Sequence, residues 1–242
     1  MKEQTTTGAS PSVDKEYSVE GFEGVEVSTV VEFEITRSAD YSVRATGPEE
    51  LIKRLDVEVS GRTLTVRLGS KVRLWPERIP NGHVNVFITM PGLRRLAVSG
   101  ACRGTAKGFT SAEDFDLELS GASQVEVEME ARNAAVHSSG AGTVTGELKV
   151  QRARLAFSGA GHCELGGRAH NLDLDLSGKC RVDLSRFEIH DANAALSGAS
   201  WAGINISGTL NAQLSGACSL EYTGSGVAGR VKTSGASKVE KK

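Results

Sequence analysis

Aromatic residues and proline are scarce in this chain of 242 residues, with aromatics at 5% and only 5 prolines. No apolar run approaches the roughly 18 residues that a membrane-spanning helix needs. The formal net charge of −2 gives no electrostatic reason to expect a nucleic-acid partner or binding to an anionic membrane surface. These shortages predict a thin core of small aliphatic side chains.

Motifs that carry enzyme chemistry are also missing. None of the 5 histidines stands in a nucleophile motif with serine or cysteine, and the glycines form no phosphate-binding loop. The 4 cysteines have neither the paired Cys-x-x-Cys spacing nor the histidine spacing of a zinc site. We therefore expect no catalytic residues, no cofactor and no metal site.

Glycine, in contrast, is abundant at 28 residues, and much of it falls in one repeated motif. Ser-Gly-Ala recurs eight times, with lysine in place of alanine in one copy, at steps of 21, 19, 19, 19, 20, 18 and 19 residues. A near-constant period of this size is typical of one structural unit stacked many times. The serines of the motif are Ser99, Ser120, Ser139, Ser158, Ser177, Ser197, Ser215 and Ser234.

Apolar and polar residues alternate on both sides of the motif. Counting each serine as position 0, positions −3, −1, +5 and +7 are mostly apolar, and the positions between them are mostly polar. This period of two predicts two short strands per repeat joined by a glycine bend. Because no single repeat can bury its apolar face, consecutive repeats should stack in register. We predict an all-β fold, a single-stranded right-handed parallel β-helix of roughly ten coils.

The cysteines fit these columns. Cys102, Cys180 and Cys218 share position +3, and Cys163 occupies the inward +5 column. We expect four small buried thiols. Cys163 and Cys180 lie in neighbouring coils but two residues out of column, so their Cα atoms should be roughly 8 Å apart, too far for a disulfide.

The N-terminal third is less regular. Residues 1–15 are polar and read as a flexible tether, and residues 16–242 as one β-helical domain. Residues 47–55 predict one or two turns of helix, residues 69–82 a loop, and the strand at 84–90 is expected to lead into the regular coils. This third should cover the open edge of the β-helix.

The order of these elements resembles the family of the putative auto-transporter adhesin head GIN domain, DUF2807. The resemblance is carried by Phe22-x-x-Val25, the helix at 47–55, the strand that ends in Met90-Pro91 and the Ser-Gly-Ala coils, and it spans about residues 16–242. It implies a Bacteroidetes-like, β-helical protein that is secreted or lipid-anchored to the cell envelope. The family has no agreed catalytic residues to carry over to this chain.

The sharpest ligand-binding candidates lie in the outward column at position +4. There His162, Arg181 and Trp201 should stack in consecutive coils about one strand spacing apart. A tryptophan beside polar donors could hold a sugar ring. The alternative is that Trp201 only covers the rod where the coil length changes from 20 to 18 residues.

A second candidate is a group of acids near Arg181. In β-helical polysaccharide lyases and hydrolases, carboxylates on the flank of the rod act as acid and base. Ordinary solvated charge is the simpler account, since coil length barely varies and no long loops build a cleft. These acids are Glu164, Asp173, Asp175 and Asp183.

The sequence therefore predicts a non-enzymatic cell-envelope module, an adhesin or a structural spacer. The alternative is a carbohydrate-binding or polysaccharide-cleaving β-helix protein. We expect an extracytoplasmic location, in the periplasm, at the outer membrane or on the cell surface, with a signal segment upstream of Met1. The expected partner is an extracellular glycan or protein and not nucleic acid, and any membrane contact would run through an N-terminal lipid anchor. The sequence leaves the oligomeric state and the choice between adhesin and spacer open.

Overall fold

The computed structural model describes residues 12–69 and 83–242. These residues form a parallel β-solenoid of about eight turns, against the ten expected, with a single short helix. The predicted tether at 1–11 and loop residues 70–82 lie outside the described residues. Ser12–Lys15, which we assigned to the tether, belong to the first strand.

Among the residues that the structure describes, seven strands and the helix precede the regular coils, which hold thirteen strands. The elements before the regular coils are β1 (Ser12–Tyr17), β2 (Gly24–Ser28), β3 (Glu32–Arg37), β4 (Ser42–Pro48), α1 (Glu49–Ile52), β5 (Leu55–Ser60), β6 (Thr63–Leu68) and β7 (Asn85–Met90). The strands of the coils are β8 (Arg95–Val98), β9 (Arg103–Thr110), β10 (Phe115–Leu119), β11 (Gln124–Glu130), β12 (Asn133–Gly140), β13 (Thr143–Gly159), β14 (His162–Gly178), β15 (Arg181–Leu196), β16 (Trp201–Ile206), β17 (Thr209–Leu214), β18 (Ser219–Thr223), β19 (Val227–Thr233) and β20 (Lys238–Lys241).

Each regular coil has three strand segments, which the coil of β14 illustrates. Its alternation of buried and exposed residues slips at Gly166 and again at His170, and the chain bends at the Ser-Gly motif. We call the outer surface of the segment before each motif serine the serine face, here Leu172–Ser177. The surface of the segment after the bend, here His162–Leu165, is the tryptophan face, and that of the third segment, Gly167–His170, is the histidine face.

The glycine of each motif makes the bend that the sequence predicts. All eight have φ between +71° and +95°, in the left-handed region that glycine adopts at little cost. The residue that follows each glycine donates its N–H to a carbonyl of the preceding coil, as Ala160 does to Gly140 at 2.7 Å. One column of hydrogen bonds therefore runs along this corner of the solenoid.

The inward columns fill the core as predicted. Leu117, Leu155 and Leu174 are buried, and their strands pair in parallel. In the last coil the inward column at position −3 is open, since Val231, which stands opposite the buried Ala212, is 39% exposed.

All four cysteines are free and buried, which confirms that prediction. Three of them form a column of thiol donors at position +3. Cys180 donates to the carbonyl of Ser177 at 3.3 Å, and Cys102 and Cys218 make the equivalent bond three residues back in their own coils.

The stacking order at the N-terminal end differs from the order along the chain. Strands β2 and β3 lie in the stack, as expected, but between β6 and β7 on one side and β8 and β9 on the other. The expectation that the strand at 84–90 leads into the regular coils is therefore wrong in space, since β7 pairs with β3 and β4. The periodicity identifies these strands but not their order in the stack. Strand β3 lies between β7 and β9, although it comes before both of them in the chain.

Antiparallel strands and the helix close this end. Strand β4 pairs antiparallel with β7, β1 with β4, and β5 with β6. The predicted helix is confirmed as the single turn α1, which buries Leu51 and Ile52 and is followed by Lys53, whose ammonium lies 2.8 Å from Glu49. This covering limits exposure of the sheet edge at the N-terminal end.

Candidate functional site

The outward column at position +4 is continuous through the regular coils, as its spacing predicts. Each member lies directly opposite the next across a parallel strand pair, so the ladder follows the solenoid axis on the tryptophan face. His162 stands opposite Arg181, and Arg181 opposite Trp201. The eight members are Arg103, Gln124, Thr143, His162, Arg181, Trp201, Ser219 and Lys238.

The central contact of the ladder is a cation–π pair. The guanidinium carbon of Arg181 lies 3.9 Å from the centre of the Trp201 ring, well within the range of this interaction. Gly203, two residues further along the strand, leaves room for the indole, because a Cβ there would lie 2.7 Å from its edge. The next member of the ladder, Ser219, has a buried hydroxyl without a hydrogen-bond partner.

Charges beside the ladder are largely compensated. Arg186 donates to Glu164 at 2.8 Å, and Glu164 stands opposite Asp183 in the next coil. Burial acts to raise the pKa of Asp183, but hydrogen bonds from Ser185 and the charges of Arg181 and Arg186 outweigh it and hold that pKa below its usual value. The Asp183 carboxylate therefore stays ionised at neutral pH.

The four acids that the sequence suggested as one group lie on two faces. Glu164 and Asp183 belong to the tryptophan face, whereas Asp173 and Asp175 lie on the serine face. The group predicted beside Arg181 is therefore divided, and only Glu164 and Asp183 lie beside it in the register.

A pair of histidines on the histidine face was missed from sequence. His170 and His190 stand opposite each other, their rings stacked with centres 4.8 Å apart. Nδ1 of His190 lies 3.2 Å from the hydroxyl of Ser207. The signal was available, since both histidines stand seven residues before a motif serine. Within residues 12–69 and 83–242, no group of three or more His, Cys, Asp or Glu side chains is arranged to hold a metal ion.

A shallow trough on the serine face was also missed. It is lined by polar side chains at positions −4 and −2, among them Arg95, Glu118 and His137. Asp116 lies beside it, with one carboxylate oxygen buried and unpartnered. Burial and the neighbouring charge of Glu118 raise the pKa of Asp116.

The fold and its surface define the chain as a parallel β-solenoid that presents polar and aromatic side chains in ladders. The model of the DUF2807 family, described as "Putative auto-transporter adhesin, head GIN domain", matches residues 21–226, and the chain belongs to this family. The family description places it among adhesin-type surface proteins. No helix in the described part of the chain is long and apolar enough to cross a membrane.

Solved structures from two Parabacteroides species have a similar fold. A putative adhesin from Parabacteroides merdae superposes with a TM-score of 0.86 at 18% identity, covering 95% of each chain. A putative adhesin from Parabacteroides distasonis has the same TM-score and identity and covers 97% of this chain and 98% of its own. A putative lipid binding protein from that species has a TM-score of 0.86 at 15% identity, covering 95% and 96%. No curated protein matches the chain.

Proposed function

We propose that this protein is a non-enzymatic adhesive module of the cell envelope that binds an extracellular glycan through the tryptophan face. The observation that supports this most is the stacked pair of Arg181 and Trp201 on the outside of a rigid solenoid. The membership of an adhesin-type family supports the same proposal.

The geometry suggests how a sugar would bind. One face of the indole holds the guanidinium of Arg181, so a ligand would contact the exposed part of the ring and the outward N–H groups of Arg181 together. His162, one coil further along the ladder, adds a ring nitrogen that can donate or accept a hydrogen bond. Because the ladder side chains project from paired strands, their spacing is fixed before the ligand arrives, which lowers the entropic cost of binding.

A binding screen with matched variants tests the proposal. The wild-type protein should bind members of a panel of immobilised glycans and extracellular matrix proteins. Trp201→Ala should weaken glycan binding by roughly 5- to 150-fold, as expected for loss of a stacking contact of about 1–3 kcal/mol. Gln124→Ala changes an exposed member of the same column and should bind like the wild type. Unchanged glycan binding by Trp201→Ala would contradict the proposal.

The non-enzymatic role has its own test. Pectin, alginate and neutral glucans should be recovered at their original length after prolonged incubation with the protein, without new reducing ends or unsaturated products. Turnover of any of them would favour the alternative of a polysaccharide-cleaving protein.

The extracytoplasmic location is tested separately in cells that express the gene naturally. We expect protease added to intact cells, or to cells with a permeabilised outer membrane, to degrade the protein while cytoplasmic markers survive. Protection in both cases would place it in the cytoplasm and contradict an adhesive role.

A further inference from the structure

The serine face carries the same polar arrangement twice. In the first copy, Arg95 stands opposite Asp116, and Glu118 follows two residues later on the same face. In the second copy, Arg154 stands opposite Asp173, and Asp175 follows in the same way. The copies are three coils apart, which corresponds to about 14 Å along the solenoid at the usual strand spacing.

Small residues keep this surface open. Ala97 and Ala156 occupy position −2 in the coils of the two arginines, and the motif serines follow at position 0. A trough runs along the axis over these alanines and serines, with Arg95, Glu118, His137 and Asp175 in its lining. It consists of two adjoining depressions that share Asp175 in their walls.

In the first copy, one arginine lies between two partly exposed carboxylates. Arg95 donates to Glu118 at 2.8 Å and lies 3.7 Å from one oxygen of Asp116, while the other oxygen of Asp116 is buried without a partner. The side chains of Asp116 and Glu118 are nevertheless 38% and 44% exposed, so their accessible oxygens can accept hydrogen bonds from a ligand at the trough. His137, opposite Glu118 in the next coil, adds an exposed imidazole.

The side chains of the second copy have different hydrogen-bond partners. Asp173 accepts a hydrogen bond of 3.1 Å from the amide of Asn193, and Asn193 in turn accepts one of 3.2 Å from Asn211. Neither Arg154 nor Asp175 makes an ion pair with a residue of the described chain. Their charged groups are therefore available to a ligand that lies in the trough.

The mixture of groups selects the class of ligand. Each copy sets two carboxylates, which only accept hydrogen bonds when ionised, beside an arginine, which only donates. An anion would satisfy the arginines alone and a cation the carboxylates alone, whereas a hydroxyl group both donates and accepts. We propose that this trough binds a linear, uncharged polysaccharide that lies along the solenoid axis and contacts both copies.

This site is separate from the tryptophan face, and the proposal does not depend on Trp201. A chain that reaches both copies gains avidity, because the second contact forms within the complex already made by the first. A ligand too short to span three coils should lose this gain. The proposal therefore predicts that binding depends on polymer length as well as on the trough residues.

Retardation of the protein in native gels containing soluble polysaccharides provides the test. Neutral linear glucans and mannans are the probes, with alginate as the polyanion and chitosan as the polycation. The wild type should be retarded by at least one neutral polymer and released by excess polymer but not by its disaccharide. Asp116→Asn with Glu118→Gln, and separately Asp173→Asn with Asp175→Asn, should each weaken retardation at least about tenfold.

The control removes two exposed carboxylates outside the trough, Glu128→Gln with Glu188→Gln, and should be retarded like the wild type. Circular dichroism and the unfolding midpoint verify that every variant is folded. Retardation by chitosan alone, or equal retardation of trough variants and wild type, would overturn the proposal, as would the failure of every neutral polymer. In the same assay, Trp201→Ala should still bind polymer through the trough. Loss of binding at the tryptophan face can therefore be distinguished from loss of binding at the trough.

Discussion

The corner glycines provide the sharpest test of how this chain specifies its solenoid, and Gly159 is the best placed of them. It lies in the middle of the regular coils with φ of +89°, and a Cβ built on it would lie 2.6 Å from the carbonyl oxygen of Gly140 in the preceding coil. That oxygen already accepts the N–H of Ala160 at 2.7 Å. Gly159→Ala therefore perturbs both the backbone conformation and the contact between two coils.

The magnitude follows from these two effects. Holding a non-glycine residue in the left-handed region costs about 1–2 kcal/mol. Real Cβ atoms do not approach an oxygen as closely as 2.6 Å, so the coils must separate locally and the hydrogen bond from Ala160 weakens, at a further cost of about 1 kcal/mol. We expect Gly159→Ala to lower the free energy of unfolding by roughly 2–3 kcal/mol.

Two other glycines separate the effects. Gly61 has φ of +60° in the turn between β5 and β6, but a Cβ there would meet nothing within 4 Å. Gly61→Ala should therefore cost only the backbone strain of about 1–2 kcal/mol. Gly92 has neither a left-handed φ nor a close neighbour, so Gly92→Ala should change stability by less than about 0.5 kcal/mol.

Equilibrium unfolding in urea, followed by far-ultraviolet circular dichroism, measures the three variants under one set of conditions. The urea midpoint should be highest for Gly92→Ala, lower for Gly61→Ala and lowest for Gly159→Ala. The midpoint of Gly159→Ala should lie roughly 1 M below that of the wild type for an m-value of about 3 kcal/mol/M. If Gly61→Ala and Gly159→Ala lose the same stability, contact between coils at the corner is not what requires glycine, and the reasoning is refuted.

Three further outcomes are expected. Leu155→Ala, at a fully buried position, should lower the free energy of unfolding by about 2–5 kcal/mol, whereas Val231→Ala in the open last coil should cost less than about 1 kcal/mol; urea midpoints that moved equally would contradict the burial of the inward column. Burial raises the pKa of the Cys163 thiol, so the unfolded state loses this proton more readily, and stability present below about pH 8.5 should decline as the pH rises above that value. Cys163→Ala should make the decline shallower in urea midpoints measured from pH 7 to 10, and an identical slope would count against this cause. In a Trp75→Phe background, where Trp201 is the remaining tryptophan, Arg181→Ala should increase quenching of Trp201 by acrylamide, whereas unchanged quenching would mean that the guanidinium does not cover the ring.

The regular coils could be predicted from the sequence because each column repeats the same physical requirement. Leu117, Leu155 and Leu174 recur at one offset from the motif serine, and the structure places them in one buried column. The register of the outward ladder follows from the same offsets, which is why His162, Arg181 and Trp201 could be placed in consecutive coils.

The N-terminal stacking order could not be predicted in this way. Period-two alternation identifies β2, β3, β6 and β7 as strands but does not say which neighbour each will choose. In the stack, β6 and β7 lie on the outer side of β2 and β3, which come earlier in the chain. Strand β4 then pairs antiparallel with β7 and covers it. Nor did the column offsets reveal how Trp201 lies over Gly203, because that contact depends on side-chain conformation within one strand.

The trough shows a different limit of reading columns one at a time. Asp-Leu-Glu-Leu-Ser at 116–120 and Asp-Leu-Asp-Leu-Ser at 173–177 are visibly alike, yet neither segment alone suggests a site. Only the register places an arginine of the preceding coil opposite each first aspartate, which turns two similar strands into two similar clusters. In a parallel solenoid, residues about nineteen apart are neighbours, so a surface site is defined by a grid of offsets and coils. A ligand that lies along the axis would contact side chains of several coils at once. An extended polymer therefore suits such a site better than a compact molecule.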